Sequence, residues 1–164
     1  MTDSPTGKQR NWIMLAGFVL ACEAVGAISG WLTAPEIAGW YATLTKPSFN
    51  PPNWVFAPVW TALFALMGIA AWLVWRTPTS ALRSVSLRCF WLQLCVNFLW
   101  SMTFFRQHST LKAAVVILFL LVFIAAIAYF FGLMSRVAAL LMVPYACWVG
   151  FAAVLNWALW RLNR

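Results

Sequence analysis

Five long runs almost free of charge dominate the chain: Trp12–Leu32, Trp54–Trp75, Cys89–Phe105, Ala113–Met134 and Val137–Trp160. A helix of about 20 apolar residues is long enough to cross the hydrocarbon layer of a bilayer. All but the third run reach that length comfortably. In water such runs would have to bury one another, and 164 residues do not enclose enough interior to do it. The chain is 64% apolar and 9% charged, against about 45–50% and 25% in soluble domains. The sequence therefore predicts an all-α integral membrane bundle, multi-pass, with five transmembrane helices at about 12–32, 54–75, 87–105, 113–134 and 137–160. These form a single domain, 12–161, between an N-terminal tail, 1–11, and a C-terminal tail, 162–164. Short links after the second, third and fourth runs make successive helices antiparallel neighbours.

Charge and reactive side chains narrow the function classes. The net charge is +8, but the eleven Lys and Arg sit at the ends of the apolar runs and form no basic face. That placement suits snorkelling and anionic headgroups, and no nucleic-acid partner is expected. Cys22, Cys89, Cys95 and Cys147 lack CxxC spacing, and His108 lies far from them, so no metal site is expected. No general acid–base pair or catalytic triad is evident. Lys8 and Arg10 ahead of the first run also fit a signal peptide. That run continues through Glu23 to Leu32, longer than a signal's apolar segment, so it is expected to stay as the first span.

The first connection, 33–53, is far longer than the others, and loops of this length usually have work to do. Thr33-Ala34-Pro35-Glu36 fits a capping box with proline at the first helical position. Ile37, Trp40, Tyr41 and Leu44 then follow at i, i+3, i+4 and i+7, one apolar face of a short helix lying at the interface. After it comes Lys46-Pro47-Ser48-Phe49-Asn50-Pro51-Pro52-Asn53-Trp54. Its prolines fix φ and stiffen the segment. Helix plus strap read as a lid across one end of the bundle.

Twelve tryptophans sort by depth. Trp12, Trp31, Trp54, Trp72, Trp75, Trp157 and Trp160 lie at run ends, where indoles form the interfacial belt. Trp60, Trp100 and Trp148 lie deeper, where a buried N–H wants a partner or a ligand. Gln93, Asn97, Trp100 and Phe104 share one face of the third run. Trp60, Phe64 and Met67 share one on the second, and Tyr145, Trp148, Ala152 and Asn156 one on the fifth. Amides on such faces must point into the bundle, because lipid would leave them unsatisfied. Aromatic, weakly polar stripes serve helix packing with amide glue or a binding site, and packing is the commoner use. Glu23, in mid-run, is either functional or a protonated, hydrogen-bonded acid inside the bundle. Gly26 and Gly30 form a GxxxG that permits close helix approach.

Trp40-Tyr41, the strap Lys46–Trp54, Pro58-Val59-Trp60, Gln93-Leu94, Asn97, Trp100, Phe104-Phe105, Val143-Pro144-Tyr145, Trp148, Leu155-Asn156 and Trp160-Arg161 together resemble the TspO/MBR family. This family comprises the tryptophan-rich sensory proteins and the mitochondrial translocator protein, or peripheral benzodiazepine receptor. The resemblance implies a five-helix membrane protein, often a homodimer, with a ligand pocket under the first loop. By position it implies a pocket of Tyr41, Pro52, Trp60, Asn97, Trp100, Trp148 and Ala152, with Lys46, Pro47, Phe49, Pro51 and Trp54 in the lid. It implies tetrapyrroles such as protoporphyrin IX as ligands, isoquinoline and benzodiazepine-type drugs as further ones, and no tightly bound cofactor. Two departures stand out. Trp157 replaces the tyrosine of the sterol-associated motif ahead of Arg161, which puts sterol binding in doubt. Ser101-Met102-Thr103 lacks a proline usual there, so a straighter third helix is expected.

The leading expectation is a receptor or sensor for a tetrapyrrole, in a bacterial inner membrane. The alternatives are a light- and oxygen-dependent porphyrin-degrading enzyme, with Trp60 and Trp148 reacting with the oxidant, and a tetrapyrrole or sterol transporter.

Overall fold

The computed structural model describes residues 5–164, with side chains from Gln9 onward. The charge of Lys8 and residues 1–4 of the expected tail therefore lie outside the described residues. Six α-helices appear among them: α1 (Pro5–Ala38), α2 (Trp40–Thr43), α3 (Phe56–Trp75), α4 (Ala81–Ser101), α5 (Thr110–Met134) and α6 (Arg136–Leu162). A 3₁₀ turn, Asn53–Val55, leads into α3, and a π turn, Met102–Arg106, ends α4. Four stretches are long and apolar enough to cross a membrane: Gln9–Ala38, Asn53–Trp75, Thr110–Met134 and Arg136–Leu162. The sequence pattern gave five. Helix α4 falls short because Arg83 and Arg88 lie near its start and its inward face carries buried Ser86, Gln93 and Asn97.

The short connections are set by local hydrogen bonds. Ser80 caps α4 by accepting from the Arg83 amide at 3.1 Å. The Arg83 guanidinium in turn donates to the carbonyls of Trp75 and Thr77 at 3.0 and 2.7 Å, satisfying groups that the end of α3 leaves free. Ser135 alone links α5 to α6, and its hydroxyl accepts from the Ala138 amide at 3.3 Å.

Two expectations about helix ends are corrected. Thr33 is not an N-cap: α1 runs on through Pro35 to Ala38. The Thr33 hydroxyl instead donates back to the Ser29 carbonyl at 2.8 Å, one turn earlier, so it serves the helix it continues. The connection thus starts at Gly39 rather than at 33, and the apolar face of Ile37, Trp40, Tyr41 and Leu44 is divided between the end of α1 and the short α2. The third long helix is also not regular to its end. Without any proline it widens into the π turn, where the Gln107 amide reaches the Met102 carbonyl at 3.1 Å. The Thr103 hydroxyl bonds back to the Leu99 carbonyl at 2.8 Å, and such back-bonding competes with the regular ladder.

The end of the bundle remote from the lid is closed. Val74, Phe90, Ile127, Phe131, Ala138 and Met142 are fully buried there, from four helices. In lipid this burial counts chiefly as dispersion and fit, because the alternative solvent is itself apolar. Gly68 shows how tight the fit is. A Cβ there would lie 2.7 Å from the Val19 Cα and 2.9 Å from its nitrogen, so α1 and α3 touch backbone to backbone.

Candidate functional site

Toward the lid the same helices enclose a cavity of about 520 Å³. Its wall is built from α1, α2, the 3₁₀ turn, α3, α4, the π turn and α6, while α5 contributes nothing to it. The difference from the closed end begins along α1 and α3. At Gly26 a Cβ would meet the Phe64 ring at 2.5 Å, whereas at Gly30, one turn on, nothing lies within 4 Å. Exposed Ala27, Gly30 and Thr61 line the cavity there, so it has a side facing the lipid between α1 and α3.

The floor is a buried hydrogen-bond chain. The Tyr145 hydroxyl, fully buried, donates to Gln93 Oε1 at 2.9 Å and accepts from Asn97 Nδ2 at 3.1 Å. Gln93 Nε2 in turn rests 3.8 Å from the Met67 sulfur. One hydroxyl carries one proton, so this order orients both amides. It leaves Asn97 Oδ1 and the second N–H of that amide free to meet whatever occupies the cavity. A second polar pair lies nearer the lid: Trp100 Nε1 donates to Asn156 Oδ1 at 3.3 Å, and Asn156 Nδ2 donates to the Thr110 carbonyl at 2.7 Å. The amide of Asn156 thus ties α4 and α6 to the start of α5.

Aromatic rings make up much of the remaining wall. Trp60 stands 5.5 Å from Phe64 and 6.3 Å from Tyr145 between ring centres. Trp148 meets Phe56 edge-on at 6.0 Å. Phe104 and Phe105, adjacent in sequence, both line the cavity, and they stand 6.1 and 5.8 Å from the Tyr41 ring. Helix α2 and the strap form the roof. The buried Tyr41 donates to Asn50 Oδ1 at 2.6 Å, and Asn50 Nδ2 donates to the Pro51 carbonyl at 3.0 Å. Burial pushes the Tyr41 phenol up from its ordinary pKa, and the bond to Asn50 offsets part of that, so the group stays a neutral donor at neutral pH. Lys46 caps the carbonyls of Ala42 and Leu44, both at 3.2 Å, with its ammonium 5.0 Å from the Tyr41 ring centre. Asn163, just past α6, exchanges two hydrogen bonds with the backbone of Thr45, at 2.9 and 3.0 Å. Glu36 joins Arg106 at 3.2 Å and His108 at 2.8 Å, and His108 stacks on Trp40 at 4.6 Å. That cluster fixes the end of α1 to the α4–α5 turn.

Of the residues expected around a pocket, Tyr41, Trp60, Asn97, Trp100, Trp148 and Ala152 line this cavity. Pro52 does not; it is exposed and ends the strap, with Asn53 lining the wall in its place. Within the expected lid, Phe49 packs edge-on against Phe151 at 6.3 Å, and Trp54 is turned outward. Pro47 accepts from the Asn50 amide at 3.0 Å in the turn between them. Neither Pro47 nor Pro51 reaches the cavity wall. Helix α1 is what the sequence pattern missed. It supplies nine of the lining residues, Glu23 and Ser29 among them.

An all-helical bundle with several membrane-length helices, closed at one end and holding an aromatic cavity under a structured loop at the other, defines an integral membrane protein with an internal pocket. The sequence profile of the TspO/MBR family matches residues 18–161, and the chain belongs to that family. It is 42% identical over 153 residues to the tryptophan-rich protein TspO of Chlorobaculum tepidum, covering 92% of this chain and 96% of that one. It is 36% identical over 153 residues to the tryptophan-rich sensory protein of Cereibacter sphaeroides, with 93% of each chain covered. To the human translocator protein it is 34% identical over 155 residues, covering 93% and 92% of the two chains.

Proposed function

We propose that the protein is a membrane receptor for a tetrapyrrole, which lies flat in the cavity beneath the first loop. The observation that carries this reading is the make-up of the cavity wall. Its volume of about 520 Å³ falls in the range of pockets for small organic ligands, roughly 300–1,000 Å³. Trp60, Trp100, Trp148, Tyr41 and Phe104 present ring faces and edges to it. Stacking on desolvated rings contributes on the order of 1 kcal/mol each. The porphyrin's ring nitrogens face inward to Asn97 Oδ1, and its two carboxylates point to the roof. Isoquinoline and benzodiazepine-type ligands occupy the same walls, and no resident cofactor is invoked.

In this reading α4 is the fifth span, its low hydropathy explained by inward-facing Gln93 and Asn97. The bundle acts as a homodimer in a bacterial inner membrane. The test is a titration of purified protein with protoporphyrin IX and a panel of tetrapyrroles, sterols and isoquinolines, following tryptophan fluorescence. Saturable quenching by protoporphyrin, weakened in the Trp60→Phe/Trp148→Phe double variant, supports the reading. Absence of saturable quenching by any tetrapyrrole overturns it.

A second reading has one observation in its favour: two oxidisable indoles, Trp60 and Trp148, line the same cavity. A bound porphyrin excited by light generates reactive oxygen beside them, and the porphyrin itself is degraded. Illumination of the complex in air separates the two. Loss of porphyrin absorbance that depends on both tryptophans favours degradation, and intact porphyrin favours a receptor.

A further inference from the structure

Helix α1 brings to the cavity two polar groups with no hydrogen-bond or ion-pair partner among the described residues. Glu23 lies midway along the membrane-length stretch Gln9–Ala38 and lines the cavity. It is the one acid among the lining residues, and no Lys, Arg or His lines the cavity with it. The ion pairs among the described residues both use Glu36, so Glu23 has no cation there. Ser29, six residues on, is 8% exposed and also lines the cavity. Its hydroxyl is the one buried side-chain polar atom without a hydrogen-bond partner among the described residues. A carboxyl and a hydroxyl left unpaired at this depth are costly, and polar groups in such places usually mark function.

The opposite wall adds complementary features. Asn97 offers its oxygen, for which no donor is found among the described residues, while one N–H of its amide is given to Tyr145 at 3.1 Å. Trp60 and Trp148 add indole rings to the wall, and such rings attract cations to their faces. Acceptors and ring faces therefore surround one apolar space that holds no positive charge of its own. An anionic group meets no cationic side chain inside it, whereas a nitrogen bearing hydrogens meets the Glu23 carboxyl and the Asn97 oxygen.

We propose that Glu23 and Ser29 select, among flat aromatic ligands, those that carry a hydrogen-bond-donating nitrogen: an ammonium, a protonated ring nitrogen or a ring N–H. This rests on reading the cavity as the ligand site, but not on the ligand being a tetrapyrrole.

The test uses full-length protein in detergent and a pair of planar probes of equal shape. 9-Aminoacridine is protonated at neutral pH; 9-methylacridine is neutral. A charge-assisted hydrogen bond to Glu23 predicts a preference for the amine of about ten- to a hundred-fold in wild type. Glu23→Gln should remove most of that preference by lowering 9-aminoacridine affinity far more than 9-methylacridine affinity. Ser29→Ala should reduce it by a few-fold. Dicyclohexylcarbodiimide labels membrane-embedded carboxyl groups, and 9-aminoacridine should protect Glu23 from it in wild type, read by mass spectrometry. That arm stands even if Glu23→Gln fails to fold. Equal affinities, no binding of either probe, a preference that survives Glu23→Gln, or unprotected Glu23 would each overturn the proposal. Protoporphyrin IX is titrated alongside. Amine preference without porphyrin binding would sink the tetrapyrrole reading and leave this one standing.

Discussion

The two ends of the bundle use the same helices differently. At the end remote from the lid, glycine and alanine bring backbones together: a Cβ on Gly68 would lie 2.7 Å from the Val19 Cα, and Ala70 and Ala71 beside it are fully buried. At the lid end, α1 again presents small residues, but Gly26 faces the Phe64 ring rather than a backbone, and Gly30 has nothing within 4 Å. There Gly26, Ala27 and Gly30 line the cavity. Small residues therefore make contact or make space according to what stands opposite.

The largest expected effect breaks the closed end. Gly68→Val places atoms where the Val19 backbone already lies, and a backbone yields less readily than a side chain. Overpacking of a core costs about 1–3 kcal/mol, and this site should fall at or above the top of that range. Gly30→Ala, with nothing within 4 Å, should stay within about 0.5 kcal/mol of wild type. Thermal unfolding in one detergent compares them. Equal melting of Gly68→Val and wild type would mean that α1 and α3 do not meet there.

Next is the boundary between the two ends, the Gln93–Tyr145–Asn97 chain. Tyr145→Phe removes a hydroxyl and strands two amides, at about 1–3 kcal/mol for a buried unsatisfied group. It should also weaken porphyrin binding, because Asn97 loses the bond that aims its oxygen. Lower stability with unchanged affinity would separate the floor from the site.

Much of this contrast was legible in the sequence. Charge-free runs announced the helices, and depth along a run singled out Trp60, Trp100 and Trp148, all of which line the cavity. Amides in mid-run had to face inward, as Gln93 and Asn97 do. What escaped was decided by partners. Gly26, Ala27 and Gly30 look alike whether they seat a neighbouring backbone or border a void. Thr33 fits an N-cap by type, yet its hydroxyl found the Ser29 carbonyl within a continuing helix. The π turn arose without proline because Thr103 bonds back to Leu99, a choice that residue identity alone does not dictate. Glu23 was conspicuous in the sequence, but only the fold sets it beside the aromatic wall.

A third prediction moves to the roof. Replacing Pro47, Pro51 and Pro52 with alanine enlarges the conformational space of the open loop by about 0.4–1 kcal/mol per ring. Lid closure should weaken by roughly 1–3 kcal/mol, which is about ten- to a hundred-fold in affinity if the ligand binds only beneath a closed lid. Ligand release should speed up while helix content holds. Equal release rates would reduce the strap to a connector.

The smallest expected effect isolates the tether from the stiffness. Asn163 follows α6, outside every membrane-length stretch, and neither contacts the closed end nor lines the cavity. Its side chain accepts from the Thr45 amide at 2.9 Å and donates to the Thr45 carbonyl at 3.0 Å, and it also donates to the Leu159 carbonyl at 2.8 Å. It thus fixes the residue just before the strap to the end of α6 as a strand partner would. Asn163→Ala removes the bonds and leaves Thr45 free to pair with water, because the site is exposed. Each bond contributes about 0.5–1.5 kcal/mol when protected, and exposure lowers that, so the total loss should be near 1 kcal/mol. Release should then quicken by roughly five-fold, and the melting temperature should move little. If the proline and Asn163 effects add, stiffness and tether act separately on the lid. If Asn163→Ala changes nothing in the proline-free background, the tether works only on a strap already held straight. A wild-type release rate in Asn163→Ala alone would show that the roof is held by Tyr41 and Asn50, whose bond of 2.6 Å ties the strap to a residue of the cavity wall.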